Sequence, residues 1–220
     1  MYDKIIGLLI SGTGETFYMV VVSTLISYIL GIPLGIVVYV TDKNGISKNS
    51  FVNKIVGLVI NLVRSIPFLI LLVAILPFTR AIVGTTIGSS ATIVPLVVAA
   101  TPFVARMVEA SLKEVDHGVV EAAQAMGSTN LQIICKVLVP EARPSLLVGM
   151  TIAFTTILGY SAMAGFVGGG GLGAIAVNYG YYRYQTGVML TTVAMLVIIV
   201  QIFQEGGLIL ASKIDKRIKR

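Results

Sequence analysis

Three long uncharged apolar stretches frame the chain. Phe17 to Val40 runs for 24 residues without a charge. At 1.5 Å per residue such a helix is about 36 Å long, enough to cross a hydrocarbon core of about 30 Å with some tilt. Ser145 to Val167 gives 23 uncharged residues and Gly187 to Gln204 gives 18, so both qualify as spans on the same criterion. Ahead of the first lies a short apolar run, Ile5 to Ile10, flanked by Asp3 and Lys4 and followed by Ser11-Gly12-Thr13-Gly14-Glu15. It is too short and too poorly flanked for a cleaved signal peptide, and residues 1–11 are expected to form an N-terminal extracytoplasmic segment.

The middle of the chain is less regular. Between Ile55 and Thr79 the apolar pattern is broken by Asn61, Arg64, Ser65 and Pro67. Proline removes a backbone donor, and a charge at the bilayer centre is costly unless it is paired or near an interface. Two readings stand. Either Phe51 to Val63 is an interfacial amphipathic helix, with Phe51, Ile55, Leu58 and Leu62 on one face, that leads into a span from Ile66, or the whole stretch is one kinked span. Ala91 to Ala105 is interrupted by Pro95 and Pro102, and its polar end carries Arg106 and Glu109, three apart and so neighbours on a helix surface. The pattern predicts an all-α chain of five transmembrane helices at about 17–40, 55–79, 91–112, 145–167 and 187–204.

Composition agrees with this picture and narrows it. The 220 residues are 56% hydrophobic and 12% charged, with a mean hydropathy of +0.94, whereas soluble domains carry roughly a quarter charged residues. This is the profile of a multi-pass integral membrane protein. Five spans of about 20 residues each leave no room for a second sizeable domain, so a fused ATPase is excluded. Cys135 and His117 are the single cysteine and histidine, which argues against a disulfide framework and against zinc or redox chemistry.

The basic residues choose an orientation. With five spans the termini lie on opposite sides, and placing the C-terminus inside gathers Lys43, Lys48, Lys54, Arg64, Arg106, Lys113, Lys136, Arg143, Lys213, Lys216, Arg217, Lys219 and Arg220 on the cytoplasmic face. Only Lys4, Arg80 and Arg183 of the 16 basic residues are then outside. This is the positive-inside asymmetry, and it accounts for the net charge of +6 without nucleic acid. Residues 207–220 form a basic tail whose stretch from Lys213 to Arg220 suits anionic headgroups of the bilayer.

No enzyme constellation is visible. The predicted spans hold essentially no Asp, Glu or His to relay protons or bind a metal, so no catalytic residue and no metal site are expected. The run Gly168 to Gly171, followed by Leu172-Gly173, lacks the Gly-Lys-Ser/Thr of a phosphate-cradling loop. Such glycines suit a flexible outer loop or, equally, close backbone packing or gate movement.

The loop between the third and fourth spans, 113–144, is richer. Glu121-Ala122-Ala123-Gln124-Ala125-Met126-Gly127 favours a helix that ends at a left-handed glycine. Thr129 and Gln132 stand at capping-box spacing to open a second helix, whose end Pro140 is expected to limit. Val119, Ala123 and Met126 at i, i+4, i+7 form an apolar stripe, and small Ala122, Ala123 and Ala125 leave a thin helix able to enter a partner's groove.

Glu121-Ala122-Ala123, Gly127 and Val137-Leu138-Val139-Pro140 resemble the EAA loop of type I ABC importer permeases. Arg64-Ser65-Ile66-Pro67-Phe68, Pro77-Phe78-Thr79-Arg80, Thr101 to Glu109, Gly159-Tyr160-Ser161-Ala162-Met163-Ala164-Gly165 and Tyr179-Gly180-Tyr181 resemble the methionine-uptake branch of that family. The likeness runs from about Ser11 to about Ala211. It implies a permease domain over 12–206 that forms a homodimer around one pathway, with two separate ATPase subunits at the cytoplasmic face and an extracytoplasmic substrate-binding protein. It further implies alternating-access import of methionine, in L- and D-forms. ATP would be bound by the partner ATPase, and no cofactor by this chain.

On that resemblance Glu121, Ala122, Ala123, Gly127 and Pro140 are the ATPase-coupling residues, and the fourth span supplies Tyr160, Ser161 and Met163 as the pathway or gate. Small residues there also serve ordinary helix packing, and the flexible thioether of Met163 suits either a plug or a packing role. Import of another amino acid would keep the same loop. A membrane anchor or assembly factor without transport would use it as a static tether.

Overall fold

The computed structural model describes residues 2–214, and within them the chain is helical with short connections. The long helices are α1 (Tyr2–Thr41), α5 (Ser89–Lys113), α9 (Arg143–Ala164) and α11 (Thr186–Ile214). Between α1 and α5 lie α2 (Ser50–Arg64), α3 (Phe68–Ala74) and α4 (Leu76–Val83). The 113–144 loop carries α6 (His117–Ala125), α7 (Asn130–Ile133) and α8 (Val139–Glu141), and α10 (Gly171–Ile175) follows α9. Four stretches are long and apolar enough to cross a membrane, or five if α2 and α3 count as one broken span. Tail residues 215–220, with Lys216, Arg217, Lys219 and Arg220, lie outside the described residues, as does Met1.

The structure adds detail to two of these elements. The first helix begins at Tyr2, so most of the expected N-terminal segment is helical and continuous with the first span. The polar Ser11–Glu15 patch does not break it, and the Thr13 and Thr16 hydroxyls are satisfied within the helix, donating to the Leu9 and Gly12 carbonyls, each at 2.8 Å. The stretch 55–79 is not one continuous helix: α2 stops at Arg64 and α3 starts at Phe68. Pro67 has no N–H to continue the ladder and disfavours helical geometry at Ile66. The Ser65 N–H and hydroxyl both return to the Asn61 carbonyl and close α2. The amphipathic reading of Phe51 to Val63 therefore describes α2, with Phe51, Ile55, Leu58 and Leu62 exposed and Gly57 and Ile60 buried.

The chain divides into two compact units. One comprises residues 1–27, 66–100 and 153–205. Its core is built from Met19, Val20, Leu72, Leu96, Ile157 and Leu172. Phe203 stacks on Phe154 with centroids 4.1 Å apart and lies 5.5 Å from Phe17, tying α11 to α9 and α1.

The other comprises residues 28–65, 101–152 and 206–220. Here α1 meets α5 closely: a Cβ placed at Gly31 would lie 2.7 Å from Val104, and one at Gly35 would lie 2.7 Å from Val108. This small-xxx-small spacing lets two backbones approach. Below it, Arg106 pairs with the buried Glu109 and reaches Asn61 Oδ1 at 2.9 Å on α2. Lys113 pairs with the other Glu109 oxygen at 2.7 Å and with Asp42 at 3.6 Å.

Candidate functional site

The 113–144 loop is a helical hairpin with every turn capped. Asp116 accepts from the Gly118 N–H at 2.7 Å and starts α6, one turn earlier than the Glu121 segment suggested. At the other end Gly127 takes φ +77. Its N–H donates to the Gln124 carbonyl at 2.9 Å, and the Ser128 N–H donates to the Ala123 carbonyl at 3.1 Å. Those two bonds are the Schellman pair, so the glycine does what its place in the sequence suggested. Thr129 and Gln132 then form both halves of a capping box, with the Thr129 N–H on Gln132 Oε1 at 2.8 Å.

Pro140 behaves differently from expectation. It does not end the second limb: a π-helical turn over Ile134–Leu138 runs into α8, which contains Pro140. The wider turn accommodates the missing N–H and the ring that a regular α-turn would not.

The apolar stripe is also split. Ala123 is 3% exposed and packs inward with Val120, whereas Val119 and Met126 are 45% and 79% exposed. The second limb is anchored by fully buried Ile133 and Leu138. Ala122, Ala125 and Leu131 join Val119 and Met126 on the exposed side, so small and apolar groups stand on a rigid hairpin with no partner among the described residues. Glu121 is exposed on the same helix and contacts His117 Nδ1 at 3.1 Å. The structure thus brings Glu121, Ala122 and Gly127 together on one short element and turns Ala123 into its footing.

The three fourth-span candidates occupy unlike environments. The Tyr160 ring stacks on Phe68 with centroids 4.6 Å apart. Ser161 is 2% exposed and donates to the Leu158 carbonyl of its own helix at 2.7 Å. Met163 is 44% exposed.

Past Met163 the glycine run is packed, which decides between the two readings left open for it. Gly168, Gly170 and Gly171 take φ of +82, +78 and +70. The Gly168 carbonyl accepts from the Gly88 N–H at 2.9 Å, and the Gly169 carbonyl accepts from the Thr92 hydroxyl at 3.0 Å. From α1, Glu15 Oε2 accepts from the Gly171 N–H at 2.7 Å and Thr16 Oγ1 from the Leu172 N–H at 2.9 Å. Sequence reasoning missed Glu15, because the first span was begun after it. A lone charge in the 37-residue apolar stretch Ile5–Thr41 is the signal that could have found it.

Residues 31–220 match the family described as the binding-protein-dependent transport system inner membrane component. The chain belongs to this family. The permease is thus the membrane component of a transport system and not itself an enzyme. It is 51% identical over 210 residues to the probable D-methionine transport system permease protein MetI of Vibrio cholerae, covering 96% of this chain and 93% of that one. It is 48% identical to the D-methionine transport system permease protein MetI of Escherichia coli over 165 residues, 75% and 76% of the two chains.

Among solved structures, the permease superposes on a chain of the inward-facing MetNI methionine ABC transporter with a TM-score of 0.96 and 46% identity, covering 98% and 100% of the two chains. It therefore has the type I ABC permease fold. An amino acid ABC transporter shares that fold at a TM-score of 0.80 and 20% identity.

Proposed function

We propose that this permease is the translocation subunit of an ATP-driven methionine importer. Two copies form the pathway, two ATPase subunits bind the exposed face of the α6–α7 hairpin, and an extracytoplasmic binding protein delivers methionine. The termini lie N-outside and C-inside, in keeping with the charge asymmetry. ATP is bound and hydrolysed by the partner, whose closure draws the two hairpins together and turns the pathway outward. Glu121, Ala122 and Gly127 form the seat, Ala123 and Pro140 its support, and Met163 is the pathway residue. Tyr160 and Ser161 hold the helix that carries it.

The observation that carries this reading is the hairpin itself. Its caps and buried footing hold Val119, Ala122 and Met126 outward, an arrangement suited to a rigid-body partner and without purpose in a solvated loop. Reconstitution in liposomes with the ATPase and binding protein tests it. Labelled L- or D-methionine is expected to accumulate inside with ATP, and unlabelled methionine to compete better than other amino acids. Accumulation of another amino acid in preference would overturn the substrate, and ATPase binding without any accumulation would overturn the transport role in favour of a tether.

A further inference from the structure

Glu15 is the one charged residue between Ile5 and Thr41. Among the described residues no lysine, arginine or histidine pairs with it. Its Oε2 accepts from the Gly171 N–H at 2.7 Å and the Ser89 hydroxyl at 3.2 Å. It stands two residues ahead of the uncharged stretch Phe17 to Val40, at the margin of the span, and commits its carboxylate to backbone and hydroxyl donors. Neutral hydroxyls suffice for the adjacent backbone groups, as Thr16 and Thr92 show on Leu172 and Gly169. A carboxylate at Gly171 makes a bond about twice as strong as a neutral one.

Glu15 is one of four groups that pin this segment, with Thr16, Gly88 and Thr92. Residues 168–171 have no side chains, and a Cβ on Gly170 would lie 2.7 Å from Glu15 Oε2, so the carboxylate and the bare backbone are fitted to one another. A 3-10 turn over Gly165–Val167 joins the run to α9, whose last turn carries Met163, and the Gly169 N–H returns to the Ala164 carbonyl at 2.9 Å. The position of Met163 therefore depends on bonds made by Glu15, Thr16, Gly88 and Thr92.

We propose that Glu15 is a positioning residue of the transport cycle, a latch on Gly171 that holds the α9 end and Met163 closed and lets go as the pathway opens outward. This rests on the importer reading above. A contact made in one state alone biases the equilibrium toward that state, so weakening it raises the population of the other.

The test uses the assembled complex in liposomes, with ATPase activity read without binding protein and with a cysteine at Met163 read for cross-linking between the two permease copies. Glu15→Ala is expected to raise binding-protein-independent ATPase about tenfold, the ratio that loss of a charged hydrogen bond implies, and to weaken the cross-link. In Glu15→Gln the amide oxygen still accepts from Gly171, and a rise of about threefold is expected. Ser89→Ala, which removes the longer bond alone, is expected to shift both readouts slightly in the same direction.

Wild-type ATPase and cross-linking in Glu15→Ala would overturn the latch. If that variant does not assemble, wild-type values in both Glu15→Gln and Ser89→Ala overturn it instead. Neither readout needs methionine, so failure of methionine uptake by the unmodified complex counts against the substrate and leaves the latch result standing.

Discussion

Tyr160 of α9 lies flat against Phe68, the first residue after the Pro67 break, with ring planes 5° apart and centroids 4.6 Å apart. The stack is what anchors a helix that restarts after three non-helical residues, and it uses the tyrosine ring and not its hydroxyl. Tyr160→Phe is expected to keep both membrane abundance and uptake. Tyr160→Ala should lose about 3 kcal/mol, the range for deleting a packed aromatic ring, read as a lower thermal midpoint in detergent. Loss of uptake in Tyr160→Phe at normal abundance would show that the hydroxyl meets the substrate.

How much of this was legible in the sequence depended on the range of the interaction. The α6–α7 hairpin was legible because its determinants are local: the left-handed Gly127, the Thr129–Gln132 capping box and the alanine-rich helix each act within a few residues. The break after α2 was legible in Pro67 for the same reason, while the choice between a separate helix and a kinked span waited on the end of α2 at Arg64. The inward turn of Ala123 was not legible, since a stripe at helical spacing does not say whether its own chain or a partner covers it. Nor was the bond from Glu15 to Gly171, 156 residues away, or that from Arg106 to Asn61, 45 residues away. Such pairs depend on which helices become neighbours, and periodicity within one helix carries no record of that.

The ion pairs beside that Arg106–Asn61 bond have a measurable worth. Glu109 is 7% exposed and sits between Arg106 and Lys113, so Glu109→Leu leaves two cations facing each other without their shared partner. Arg106 and Lys113 keep side-chain exposures of 26% and 50%, so the loss is expected at about 1–2 kcal/mol, below the cost of stranding a fully buried charge. The Lys113 side chain is 50% exposed, and Lys113→Gln is expected to cost below about 1 kcal/mol. Thermal midpoints of the two variants in detergent check the order. Equal midpoints would mean that the Arg106–Glu109–Lys113 ladder contributes no more than a surface pair.

Orientation can be read with thiols, but the positions matter. A cysteine at Gly170 would displace Glu15, and one at Gly45 would press on the Val40 backbone. Lys48 and Tyr184 are exposed, Tyr184 to 88%, and tolerate replacement. After Cys135 is removed, an impermeant thiol reagent on intact cells is expected to label Tyr184→Cys and leave Lys48→Cys protected. The reverse pattern would turn the permease over in the membrane and move the α6–α7 hairpin to the side without ATP.

The hairpin gives the sharpest test of coupling, because its seat can be altered without touching its footing. The Glu121 side chain is 67% exposed and contacts His117 alone among the described residues, so Glu121→Lys leaves the buried Val120 and Ala123 in place. Gly127 has φ +77 and open space where a Cβ would be, so Gly127→Asp strains the turn by about 1 kcal/mol without a clash. Neither residue lies in a long apolar helix. Both variants are therefore expected to reach the membrane at wild-type abundance, to retain less ATPase on pull-down, and to lose at least about tenfold in uptake, the effect of about 1.4 kcal/mol of lost coupling. Met126→Asp, at a 79% exposed position on the same face, should reproduce the loss of ATPase binding. Wild-type uptake in all three would remove the hairpin from the coupling path. Uptake lost with ATPase binding intact would place the hairpin in transmission of the partner's movement and leave its attachment to other contacts.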